Sequence, residues 1–247
     1  MFKQIVIATL LSMGGMAAMA QERMPQIPAD KMTEPQKKAA AEFAEGRGYA
    51  VRGPFAAMLR SPEVMLRAKA MGDYLRFRST IPPRLNELAI LITARQWGQN
   101  YEWQAHRPLA EKAGLKPEIA QAVADGRRPS GMAADEEIVF DFCSELHANK
   151  SVSDATYRRA LEKFGEQGII DLTAVNGYYS FNAMILNVAR TALPANVSRP
   201  SCNPFRGECT VIPGLVPGIQ PSVGIGASGA MDPGDPRNKS EGKQAPG

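Results

Sequence analysis

The sequence predicts an all-α fold, and two observations carry that prediction. No stretch alternates apolar and polar residues with period two, whereas several stretches repeat with period 3.6. Each of those stretches is also bounded by residues that start or stop helices. Thr33-Glu-Pro-Gln36 supplies a cap, an early proline and a capping-box residue, so the first helix opens there and runs to about Gly46. Ser61-Pro62-Glu63 opens a second, with Val64, Ala68, Met71 and Leu75 along one stripe. Pro82-Pro83 resets the chain before a third helix, Arg84 to Trp97, and after a short break at Gly98 a fourth runs from Asn100 to Ala113, capped by Gly114. Pro117 to Asp125, Ala133 to Asn149, Ser153 to Phe164 and Glu166 to Arg190 complete the set.

The two ends of the chain stand apart from this helical body. Lys3 precedes an apolar run from Ile5 to Met16, and Ala18-Met19-Ala20 gives the small-x-small pattern of a cleavage site. Residues 1–20 are therefore read as a signal peptide, with a periplasmic or secreted mature chain that starts at Gln21. A membrane anchor needs about 20 apolar residues with suitable flanks, so no membrane association is expected after cleavage. From Ala195 onward, Gly and Pro approach a third of the residues with one aromatic, Phe205. Such a composition cannot build a core, so 195–247 is read as a disordered tail in which Cys202 and Cys209 have the option of a disulfide. The domain lies at 21–194, where 23 Lys+Arg stand against 21 Asp+Glu with signs interspersed. That excludes the basic stripe of a nucleic-acid binder. Two histidines and three cysteines in the whole chain exclude most zinc-ribbon and multi-histidine sites.

The third helix carries Leu85, Leu88, Ala89, Ile90, Leu91, Ile92 and Ala94 in nearly every direction, which predicts burial. Glu87 sits among them. A lone buried carboxylate costs several kcal/mol unless paired or protonated, so Glu87 needs a partner, unless it lies at the exposed mouth of the helix and answers its dipole. The fourth helix offers that partner. Glu102, His106, Leu109 and Ala113 form one stripe, and its apolar lower half is expected to face the core and to take the acid and the imidazole inward with it. The break at Gly98 makes the two helices an antiparallel hairpin, in which Glu87 and His106 come within reach. Two carboxylates flanking an imidazole can handle a proton, or they can simply tie two helices together. Pro108 lacks the N–H that would bond the carbonyl of Gln104 and is expected to bend the helix or open a bulge. Cys143, among Ile138, Val139, Phe142 and Leu146, reads as a small core residue, and His147 as an imidazole at a helix C-terminus.

Glu87, Tyr101-Glu102-Trp103, His106, Ala110 and Gly114-Leu115 together resemble the carboxymuconolactone decarboxylase family with its AhpD-like helical bundle and central antiparallel helix hairpin. The resemblance covers roughly residues 50–190. The alkylhydroperoxidase branch of that family carries a Cys-x-x-Cys pair where this chain has Gln99 and Glu102. Peroxide reduction of that kind needs a thiolate and a resolving thiol, so the resemblance points to the branch without cysteines. It implies a cofactor-independent enzyme of decarboxylase or isomerase type acting on a small carboxylated or lactone substrate. In that reading His106 is the general acid/base, Glu87 orients it, and Glu102 is a second acid/base. Arg84 and Arg95, which bracket the third helix, are expected to bind a substrate carboxylate. No metal and no cofactor are expected.

The competing readings are a non-catalytic periplasmic module and an oxidoreductase of peroxidase or peroxiredoxin type that works without these thiols. The family fold implies a homo-oligomer, a trimer or hexamer, with Tyr178, Tyr179, Phe181 and Met184 as interface candidates. Tyr101 and Trp103 are expected to pack or to line a subunit contact rather than the site.

Overall fold

The computed structural model describes residues 21–193, together with 202–203 and 208–209. The proposed signal peptide and nearly all of the proposed tail lie outside the described residues. Among the described residues, eight helices follow a short 3-10 turn at Ala29–Lys31: α1 Glu34–Arg47, α2 Pro54–Met58, α3 Pro62–Phe77, α4 Pro83–Gln96, α5 Asn100–Lys112, α6 Pro117–Ala124, α7 Ala134–Asn149 and α8 Asp154–Ala189. A two-residue antiparallel ladder, β1 Cys202–Asn203 with β2 Glu208–Cys209, sets Cys202 opposite Cys209. The chain divides into a unit ending at Thr210, which holds every described helix, and a second unit, Val211–Gly247, outside the described residues. Among the described residues no helix is long and apolar enough to cross a membrane.

The expected punctuation operates at most ends. The backbone N–H of Thr33 donates to Gln36 Oε1 at 3.0 Å, closing the capping box of α1. At the end of α4, Gly98 takes φ +59, and Gln99 N–H reaches back to the Ala94 carbonyl while Gly98 N–H reaches that of Arg95. This Schellman turn satisfies the last carbonyls and reverses the chain into α5. α8 is two helices in line. Gly165 breaks the helical dihedrals with φ +68 and ψ 179, so the predicted division between Phe164 and Glu166 is present as a kink.

α4 is the central element. From Leu85 to Ala94 every residue is buried, and the helix packs against α5, α6, α7 and α8. An all-round apolar sequence is buried because no face of it can be left in water without cost. α3 differs from expectation. Val64 and Met71 are exposed, and the inward stripe is Met65, Ala68, Gly72 and Leu75, one position round the helix. Gly72 permits the closest approach on that stripe, since a Cβ there would stand 2.3 Å from the Tyr178 hydroxyl. The loop after α3 is fastened to α8 by Asp171. Its carboxylate accepts from Tyr74 Oη at 3.0 Å, Ser79 Oγ at 3.1 Å, and Thr80 N and Oγ1 at 2.9 Å.

Candidate active site

Glu87 on α4 and Glu102 and His106 on α5 meet across the hairpin, all three buried. His106 Nδ1 donates to Glu87 Oε2 at 2.7 Å, and Nε2 stands 3.4 Å from Glu102 Oε2. Tyr179 of α8 meets the imidazole edge-on, with ring centroids 5.0 Å apart. Burial alone would lower the imidazole pKa. The hydrogen bonds to Glu102 and Glu87, and the charges of both, outweigh it and hold His106 up at about 9. At neutral pH the site therefore contains an imidazolium between two carboxyl groups. Glu102 Oε1 is buried with no hydrogen-bond partner, an acceptor left for something that enters.

The stripe that brings Glu102 and His106 inward is not the expected one. Leu109 is 37% exposed and Ala113 half-buried, while Trp103 and Ala110 are buried. The inward face of α5 is thus Glu102, Trp103, His106 and Ala110. α5 remains a single helix across Pro108.

A cavity of about 820 Å³ opens beside this trio. Glu102 and His106 line it; Glu87 sits behind the imidazole and does not. The other walls come from α1, α2, α3 and the second half of α8, through Arg47, Phe55, Arg76, Phe77, Tyr178, Tyr179 and Asn182, with Tyr49 and Arg52 from the loop before α2. Tyr101 also lines the cavity rather than an outer surface. Gly53 makes room for it, because a Cβ there would lie 3.0 Å from the Tyr101 ring. Tyr178 and Tyr179 are buried in the cavity wall, so they are not an outward interface; Phe181 is half-buried and Met184 is exposed. Burial pushes the Tyr178 hydroxyl up to about 12 and raises that of Tyr179 well above the ordinary phenol value, so both stay protonated at neutral pH.

Arg84 and Arg95 are not brought to this cavity. Arg84 pairs with Asp135 at 2.9 Å and with Glu136, joining α4 to α7. Arg95 Nε donates to the Ala124 carbonyl at 3.0 Å, against the end of α6. Their spacing on α4 carried no information about facing, and the acids that hold Arg84 come from a helix fifty residues on. The arginines that do line the cavity, Arg47, Arg52 and Arg76, escaped sequence reasoning. Their only signal was basic residues near the ends of α1 and α3, which also suits a helix C-terminus.

Cys143 is fully buried, accepts from Asn176 Nδ2 at 3.2 Å, and has its thiol pushed up to about 12 by burial. Gln99, at the first of the two positions that hold sulfur in the alkylhydroperoxidase branch, is the N-cap of α5: its Oε1 accepts from Tyr101 N–H at 2.7 Å and its Nε2 donates to Asn187 at 3.0 Å. His147 lies away from the cavity, its Nε2 3.0 Å from Thr93 Oγ1, and burial lowers its pKa. Among the described residues no three His, Cys, Asp or Glu side chains are grouped to hold a metal ion.

Residues 62–137, which include the whole α4–α5 hairpin, match the sequence model of the carboxymuconolactone decarboxylase family. The fold is similar to that of the alkylhydroperoxidase AhpD core of an uncharacterized peroxidase-related protein from Ralstonia eutropha JMP134. That match has a TM-score of 0.57 and 15% identity, covering 70% of this chain and 93% of that one. An uncharacterized peroxidase-related protein from Silicibacter sp. TM1040 is similar at a TM-score of 0.56 and 17% identity, over 73% of this chain and 96% of that one. No protein of curated function matches the sequence.

Proposed function

We propose that this chain, a carboxymuconolactone decarboxylase family protein with an AhpD-like fold, is a cofactor-independent acid/base enzyme of decarboxylase or isomerase type acting on a small carboxylated or lactone substrate. The observation that carries the reading is the buried imidazole of His106 held 2.7 Å from Glu87 and 3.4 Å from Glu102 at the wall of a cavity. Glu87 fixes the ring through Nδ1 and compensates its charge. Glu102 Oε1 is the free basic atom, suited to take a proton from carbon next to a carbonyl. His106 supplies a proton as negative charge develops on the oxygen, or delivers it to carbon after carbon dioxide leaves with the bond's electron pair retained by the substrate. Neither route requires an electron carrier. The exported, oligomeric form of the protein belongs to the same proposal: a periplasmic or secreted trimer or hexamer, assembled through surfaces other than Tyr178 and Tyr179.

A thiol peroxidase is the reading that the structural relatives' names suggest, and the residues here oppose it. Gln99 and Glu102 stand at the thiol positions, and Cys143 is enclosed and held as a thiol. The test is turnover of a panel of small lactones and keto-acids by the parent, His106→Gln and Cys143→Ser proteins. His106→Gln is expected to fold and to lose at least a hundredfold in kcat, with Cys143→Ser unchanged. Hydroperoxide reduction that disappears with Cys143→Ser would overturn the reading.

A further inference from the structure

Three guanidinium groups line the cavity, and one of them has no hydrogen bond or ion pair among the described residues. Arg76, half-buried in the last turn of α3, makes no side-chain hydrogen bond and no ion pair among the described residues; it lies over the face of Phe77, 5.1 Å from the ring centroid, and feels the charge of Glu87 and the hydroxyls of Tyr178 and Tyr179. Arg47 is more deeply enclosed, its side chain 4% exposed. It pairs with Asp73 at 2.6 Å through Nε and lies 5.8 Å from the same Phe77 ring, yet its Nη2 is buried without a hydrogen-bond partner. Arg52 is stacked on Tyr49 at 4.1 Å and exposed.

A guanidinium offers five N–H donors in a planar fork. Leaving those of a partly buried one unmet costs free energy that an entering carboxylate would recover. Lys69 could have competed for that role, but it is spent on Asp73 at 2.9 Å. Of the neighbouring acids, Glu87 is committed to His106 and Asp73 to Arg47 and Lys69, while Glu22 and Glu102 line the cavity itself. The cavity that holds the unmet donors and the imidazole is also lined by the rings of Phe55, Tyr101 and Tyr179.

We propose that Arg76, backed by the buried Nη2 of Arg47, is the anion anchor of this cavity and takes the carboxylate of a flat, ring-bearing ligand whose other end reaches Glu102 and His106. The assignment deepens the acid/base reading, on which it rests for the far end of the ligand, and it replaces Arg84 and Arg95 as the carboxylate-binding residues. It also gives the site polarity. The charged end of the ligand is held by α1 and α3, and the reacting end is presented to the α4–α5 hairpin.

The probe is benzoate, with benzamide as its neutral counterpart, titrated calorimetrically into the full-length protein at neutral pH and moderate salt. Benzoate is expected to bind at least tenfold more tightly than benzamide. Arg76→Met is expected to abolish that preference while leaving benzamide affinity and the circular dichroism spectrum unchanged, and Arg76→Lys to retain part of it. Should Arg76→Met not fold, Arg76→Gln reads the same loss with a polar side chain. Equal benzoate affinity in the parent and the Arg76 variant overturns the anchor, as does a parent that does not distinguish the two probes. Neither result touches the acid/base reading, which His106→Gln turnover decides separately. Conversely, a His106→Gln protein that has lost turnover but keeps a preference for benzoate that Arg76→Met abolishes upholds the anchor by itself.

Discussion

At the scale of single residues, the chemistry rests on a histidine whose surroundings oppose each other. Burial disfavours the imidazolium, and two carboxyl groups favour it more strongly, leaving its pKa at about 9 instead of 6.5. A shift of that size corresponds to roughly 3 kcal/mol of interaction with the charged form. Because the folded value lies above the unfolded one, this stabilisation is complete below about pH 6.5 and is lost as pH rises through 9. Urea denaturation of the parent and of His106→Gln from pH 6 to 10 is therefore expected to show a stability gap that closes at alkaline pH. A constant gap would mean that His106 is held by packing and not by charge. Glu87 and His106 were legible in the sequence, since an acid in an otherwise apolar helix has to be answered nearby. The cavity arginines were not, because a basic residue near a helix end has an ordinary electrostatic explanation and its partners, or lack of them, depend on distant chain.

At the scale of elements, the hairpin of α4 and α5 was readable because its signals are local: an all-apolar helix, a glycine turn and a capped restart. Which side of α5 faces inward was less so. The sequence places Leu109 and Ala113 below Glu102 and His106 at helical spacing, but the core lies under Trp103 and Ala110 instead. Spacing defines a stripe, and only the tilt of the neighbouring helix decides which edge of it is covered. α2 went unread altogether. Its five residues are too few to show periodicity, yet it and Gly53 before it form one wall of the cavity. Gly53 holds φ +61 and ψ −139 against the Tyr101 ring. Gly53→Ala is expected to destabilise the protein by about 1–3 kcal/mol through backbone strain and to push Tyr101 into the cavity. Thermal denaturation together with ligand affinity checks this; a variant with parental values of both would show that the wall is not rigid.

At the scale of the whole molecule, five helices and one loop converge on a cavity that no single element could form. α5 brings Glu102 and His106, with Glu87 of α4 behind the imidazole; α1 and α3 bring guanidinium groups, and α2 and α8 bring rings. The all-α architecture was legible because it is a sum of local periodicities, whereas a cavity between helices depends on packing angles that composition does not encode. The protein contains only two histidines, His106 and His147, so the protonation of both imidazoles can be followed in one experiment. Imidazole resonances recorded by nuclear magnetic resonance as a function of pH are expected to resolve two titrations. One lies near 9 and is absent from His106→Gln; the other lies below 6.5, where burial lowers His147. Two histidines titrating together near 6.5 would contradict the clamped imidazolium on which the acid/base chemistry depends.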